Sequence, residues 1–382
     1  MTETSRSRIA PALALGALLL YSACSPADVT EPRAAGRSLG TGTNLTVGAI
    51  TDLGSLGGSP SIARSVNAQG VVAGVSYLAN GTYHAFVWSI TNGLVDIGTV
   101  PGDNSSQAFA INDNGEVVGP SHPPSAGSGS AGSPAIWTPN GSGGYTVQSL
   151  GMSINATSYD LNNGGTVVGD FPDPVGNDQP YAWTPAGGRQ TLPLLAGFYR
   201  GRATAISTPG TIVGWEVYQS SSGRHVVGGI DYDVTIPVVW PAAGGVTRLG
   251  LPSGYTYGEA LGVNDFDVVV GFAWTSGKGT SLKQALRWRP DPQQPGAWLA
   301  PDALSGVSTS DGTARDVNNA GLIVGLSNGN GFVWSDAAGF QSLGGLTTKD
   351  GSDALRINDP ADGSRPVIVG KSGSHAVRWQ LP

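Results

Sequence analysis

A single cysteine in 382 residues, Cys24, leaves no partner for an intramolecular disulfide, so packing and hydrogen bonds must hold the fold. Charge is also scarce. Asp, Glu, Lys and Arg together make 12% of the chain, and the formal net charge is −7. A mildly acidic chain without a basic run lacks the electrostatic footprint of a nucleic-acid binder or of a polybasic membrane patch. No amphipathic helix of useful length stands out. There is no phosphate-cradling glycine motif ahead of a helix, no cysteine nucleophile and no Gly-x-Ser-x-Gly elbow. No spaced acidic ligands complete a calcium loop after Asp160 or Asp316. No cofactor, metal or catalytic residue is therefore expected.

Glycine, by contrast, is abundant at 59 residues, and much of it belongs to a repeat. The unit reads apolar-Asn-x-x-Gly-x-apolar-Val-Gly, first seen at Val66-Asn67 to Gly74. It returns with Asn112 to Gly119, Asn162 to Gly169, Ser207 to Gly214, Asn264 to Gly271, Asn318 to Gly325 and Asn358 to Gly370. The last copy is longer, with residues 360–365 as a local insertion. Each copy is followed by one tryptophan: Trp88, Trp137, Trp183, Trp240, Trp288, Trp334 and Trp379. The period is about 48 residues, which means a solenoid, a propeller or an array.

Within one unit, a short apolar segment precedes Asn-x-x-Gly and a β-branched segment follows it. Asn, Asp and Gly accept the positive φ of tight hairpins, so this is strand A, turn, strand B. The stretch containing His84-Ala85-Phe86-Val87-Trp88 reads as strand C, and Leu94 to Gly98 as strand D. Four short strands per unit make a propeller blade, and the regular tryptophan is expected to pack between blades. After Trp379 no strand D remains, while an orphan segment around Ile50-Thr51-Asp52-Leu53-Gly54 precedes the first strand A. That segment is expected to complete the last blade and close the ring. The predicted fold is all-β, a seven-bladed propeller over residues 45–382, and a monomer.

These motifs resemble the HAF-repeat family of bacterial extracellular repeat proteins, whose signature stands here as His84-Ala85-Phe86. The Asp52-Leu53-Gly54-Ser55-Leu56-Gly57-Gly58 segment is similar to that family's linker. Only the first copy has the full signature; others read Pro134-Ala135-Ile136 or His375-Ala376-Val377. The resemblance implies an exported protein and no established chemistry.

The N-terminus agrees with export. Arg6 and Arg8 precede an apolar run over residues 9–20, too short to span a bilayer and right for a signal peptide. The run ends in Leu20-Tyr21-Ser22-Ala23-Cys24, which resembles a lipobox, although Tyr21 stands where such motifs usually carry Leu. Cys24 is thus the expected lipidation site, with residues 1–24 as the signal. Ser25 after it resembles the signal for outer-membrane sorting, and the expected address is an outer-membrane lipoprotein or the cell surface. Residues 25–44, with Pro26 and Pro32, read as a flexible tether.

Function should sit on variable loops over a constant scaffold. From the last Gly of strand B to the Trp the spacings are 14, 18, 14, 26, 17, 9 and 9, so the B–C stretches vary most. Blades 4 and 5 carry aromatics and arginine on the loops of this face: Tyr199, Arg202, Trp215, Tyr218, Tyr255, Tyr257 and Trp274. Such a set suits a glycan or a surface protein, or else packs the loops together. Strand A borders the channel, and two places before the Asn stand Asp160, Asp316 and Arg356, with Arg64 and Arg315 one place earlier in their own repeats. The leading expectation is a non-catalytic binding module. The alternative is a polysaccharide hydrolase or lyase using Asp160 or Asp316. Three or more acids with raised pKa in one channel pocket would favour the enzyme. His84 and His375 occupy matching places in the first and last copies and are expected to cap their own strands C.

Overall fold

The computed structural model describes residues 48–124, 132–218, 225–227, 230–232, 234–275 and 282–381. The expected export signal, Cys24 and the tether over 25–44 lie outside them. The described chain forms seven antiparallel blade sheets, each in the order A-B-C-D, and one two-stranded hairpin. Blade 1 is Gly57–Val66, Val72–Leu78, Tyr83–Ser89 and Gly93–Asp96. Blades 3, 5 and 6 follow the same plan, with strands A at Thr157–Leu161, Tyr257–Val263 and Thr313–Val317. In blade 2, strand A is broken into Ser105–Ser106 and Ala110–Ile111. Blade 4 opens on the long strand A Phe198–Ile206, paired to strand B Ile212–Tyr218. Between strands B and C of blade 4, His225–Val227 pairs with Ile230–Tyr232 as a separate hairpin. In blade 7, Ser352–Ile357, Val367–Ser372 and His375–Gln380 are completed by Ile50–Asp52, with Ile50 opposite Trp379 and Asp52 opposite Val377. The N-terminal strand therefore closes the ring, as its sequence predicts.

The repeat's Asn does more than turn the chain. Its Oδ1 accepts main-chain N–H groups of its own turn, as Asn67 does from Gln69 (3.1 Å) and Val71 (2.9 Å). Its Nδ2 donates to the carbonyl of the Asn-position residue in the next blade. Asn67 reaches Asn112 O at 3.1 Å, Asn112 reaches Asn162 O at 3.1 Å, and Asn162 reaches Ser207 O at 3.3 Å. The circuit resumes from Asn264 to Asn318 O (3.0 Å), Asn318 to Asn358 O (3.1 Å) and Asn358 back to Asn67 O (2.9 Å). Ser207 has no amide and is the break: its Oγ accepts from its own turn, from Thr211 N at 3.1 Å.

The last Gly of each repeat has a steric cause. A Cβ on Gly74, Gly169 or Gly325 would strike the carbonyl oxygen of Ile62, Thr157 or Thr313 on strand A of the same blade. That close approach accompanies a β-bulge in strand A, seen between Ala63 and Ser65, Ser158 and Asp160, and Ala314 and Asp316. The tryptophans seal the joins between blades. Trp137 packs on Val87 and Ile97 of blade 1, and Trp379 on Val333 and Leu343 of blade 6. Several indoles also donate to the loop ahead of their blade, Trp288 to Gly250 O at 2.7 Å and Trp240 to Pro193 O at 2.8 Å. His84 and His375 each reach an aspartate on strand D of their own blade, Asp96 at 2.8 Å and Asp52 at 2.9 Å.

If the amide circuit holds the ring, Asn318→Ala should destabilise the protein by about 2–3 kcal/mol, since the buried Asn358 carbonyl and the turn N–H of Leu322 lose partners. Ser207→Asn should gain up to about 1 kcal/mol by bridging the break. Urea unfolding curves of the two variants check both signs.

Candidate functional site

The bulge decides what faces the channel. Strict strand alternation would present only the residue two places before each Asn. The bulge also turns the residue three places before it inward. As a result, the channel has two chambers that meet at Arg356, which lines both.

The chamber on the side of the B–C loops, here called the vestibule, holds about 330 Å³ and draws strand A residues from all seven blades. Arg64, Phe109, Tyr159 and Arg315 come from the bulge positions, and Arg202 and Glu259 from two places earlier. Trp215, opposite Arg202 on strand B, completes the wall. Arg202 lies 4.8 Å from the Tyr159 ring centroid and 5.2 Å from that of Trp215, and its Nε is 3.1 Å from the buried Asp170. Arg64 lies 4.8 Å over Phe109, which stacks on Tyr159 at 6.0 Å. Arg315 is gripped by both oxygens of Asp353 at 2.9 Å each.

Burial raises the carboxyl of Asp170 to about 6 against the pull of Arg202. It also raises Glu259, against Arg202 and Lys283. Burial lowers the Arg64 guanidinium, and the like charge of Arg315 lowers it further.

The opposite chamber, at the A–B turns, is acidic. Asp160, Asp316, Asp113, Asp265 and Asp359 line it with Asn163 and Asn319. Asp160 and Asp316 are recessed in the channel, where burial raises both, Asp316 to about 6, while Arg356 opposes. Asp359 is raised to about 6 by burial and then by neighbouring aspartates. Each of the three nevertheless serves the ring joint. Asp160 accepts Ile206 N at 3.0 Å, Asp316 accepts Ile357 N at 2.9 Å and Asp359 accepts Asn319 N at 2.9 Å, all from other blades.

Of the residues expected from sequence, the vestibule brings together Arg202, Trp215 and Arg356. Asp160 and Asp316 fall in the other chamber. Tyr199, Tyr218, Tyr255, Tyr257 and Trp274 are not part of the vestibule wall. All of these but Tyr255 stand on strands rather than loops, because strands A and B run long in blades 4 and 5. There they meet as cross-strand neighbours. Tyr257 is 2% exposed and stacks on Trp274 at 5.2 Å, and Tyr218 packs on Phe198 at 5.4 Å. Tyr255 packs against the core between blades 4 and 5. Tyr257 is thus a packing residue and not a free ring for a ligand. Nothing local in the sequence marks Phe109, Tyr159 and Glu259 as wall residues. Arg64 and Arg315 stood out there only as charges one place off the expected face. Among the described residues no group of three or more His, Cys, Asp or Glu could hold a metal ion.

No protein-family model and no curated protein matches the chain. Solved structures do align with it at low identity. A gluconolactonase from Xanthomonas campestris is 12% identical over 88% of this chain and 90% of its own, with a TM-score of 0.42. A catalytically inactive virginiamycin B lyase from Staphylococcus aureus with quinupristin is 10% identical over 87% and 99%, at 0.49. The β-propeller domain of the Trilobed protease from Pyrococcus furiosus is 8% identical over 84% and 93%, at 0.47. The fold assignment rests on the strand order itself.

Behind Trp215, Glu216 is fully buried, with Oε2 accepting Leu195 N at 3.0 Å and Oε1 without a partner. Blades 1, 2, 6 and 7 use Ser76, Ser121, Ser327 and Ser372 for the same bond. Burial pushes the Glu216 carboxyl up to about 7. A carboxyl raised on folding favours the folded state fully below its unfolded value, near 4.5, and that contribution is lost as pH rises through about 7. Glu216→Gln removes the titration and keeps an acceptor. Its stability relative to the parent should therefore rise from no gain near pH 4 to about 3 kcal/mol near pH 9, read by urea melts across pH.

Proposed function

We propose that the chain is an exported, lipid-tethered propeller of the HAF-repeat type that binds a glycan or a surface protein through the vestibule, without catalysis. The observation that carries this reading is the vestibule itself. It is one concave cup to which all seven blades contribute, rigidly framed and lined by aromatic and charged side chains. Two of its arginines, Arg202 and Arg315, are held by aspartates that are not part of the wall, Asp170 and Asp353. Export rests on the segment ending at Cys24 and on the family resemblance.

A second reading, a polysaccharide hydrolase or lyase, has one observation in its favour. Asp160, Asp316 and Asp359 share a chamber and all have carboxyls raised by burial. Against it, each already holds a main-chain N–H of another blade, which makes these acids parts of the joint.

Two measurements test the proposal. In a glycan array and polysaccharide pull-down with the purified protein, Trp215→Ala should weaken binding at least tenfold, while Tyr255→Ala with Trp274→Ala should change it less than twofold. Reducing-end release that disappears in Asp316→Asn would instead support the enzyme. In bacteria grown with labelled fatty acid, the parent chain should take up label and Cys24→Ser should not. Label-free parent protein would remove the lipid anchor from the proposal.

A further inference from the structure

Resting on the binding-module reading, we propose that the vestibule selects an acidic polysaccharide, with Arg64 as the anchor for a sugar carboxylate. The pairing of its charges leads there. Arg202 has Asp170 at 3.1 Å and Arg315 has both oxygens of Asp353 at 2.9 Å. Arg356 feels both Asp160 and Asp316. Among the described residues, Arg64 alone of the four vestibule arginines has no carboxylate partner. Its Nη2 donates to the neutral Gln107 Oε1 at 3.2 Å, its Nε is buried without a partner, and the charge that acts on it is another cation, Arg315. A half-buried guanidinium with no carboxylate of its own is stabilised by an anion arriving in the cup, and its planar fork matches a carboxylate.

The aromatic lining points the same way. Arg64 covers a face of Phe109, whose ring also stacks on Tyr159, and Arg202 lies over Tyr159 and Trp215. The rings are engaged by cations, so less face is left for stacking a neutral sugar, and recognition by charge remains. At about 330 Å³ the cup is at the small end of ligand sites, suited to one residue or one end of a sugar chain rather than to a folded protein element.

Affinity electrophoresis of the full-length protein in gels containing polygalacturonate or alginate tests this, with methyl-esterified polygalacturonate and a neutral glucan as counterparts. The expected result is retardation by an acidic polymer, at least tenfold weaker after esterification and in raised salt. Arg64→Gln should weaken it at least tenfold and Arg64→Lys by less. Arg378→Gln, which removes an arginine that is not part of the vestibule wall, should leave it unchanged. Equal retardation by the esterified polymer or the neutral glucan would overturn the acidic selectivity and leave the binding module standing. Retardation by none of the four would overturn the acidic-polysaccharide proposal and leave a surface protein as the partner of the binding module. Retardation by the acidic polymers that survives Arg64→Gln would overturn Arg64 as the anchor.

Discussion

The structure depends on one side-chain amide used in two directions. At six of the seven A–B turns an Asn carbonyl oxygen closes its own turn, while its NH2 reaches a main-chain carbonyl of the next blade. A blade turned by any residue other than Asn would lose one of these bonds, because Ser and Asp lack the amide donor and Gly lacks both groups. The bonds are buried, so each unmade partner would cost more than a made bond contributes. With no disulfide available, this circuit and the tryptophans between blades tie neighbouring sheets together.

The joint also shapes the channel. Next to five of the six Asn the chain carries a second polar residue, and these residues, Asp113, Asn163, Asp265, Asn319 and Asp359, bond across neighbouring turns. This concentrates acid at one end of the channel. At the other end the bulged residues of strand A include Arg64 and Arg315. The axis therefore runs from an acidic rim, through Arg356 with Asp160 and Asp316, to a vestibule rich in guanidinium groups. An acidic protein as a whole thus gathers four arginines, Arg64, Arg202, Arg315 and Arg356, in one recessed place, where water screens them least.

Much of the fold is legible in the sequence because a repeat states each physical requirement seven times. The final Gly, the tryptophan and the missing seventh strand D all read correctly. His84 and His375, expected to cap their own strands C, instead each reach across to an aspartate on strand D, Asp96 and Asp52. The site was less legible. Tyr257 and Trp274 look like ligand-facing rings because nothing local distinguishes a ring on a loop from one on an extended strand. Their pairing across strands A and B uses them for packing.

The sequence alone determined the blade, the blade number, the ring closure and the placement of turns, since these follow from short-range periodicity and from steric needs of Gly and Asn. Which charges meet was decided only by the tertiary structure. Arg64 and Arg315 are 251 positions apart, and Arg315 finds Asp353 while Arg64 finds no carboxylate. The physical reason is that a bulge shifts side-chain direction by one residue, and closing the ring brings all seven shifts to a common axis.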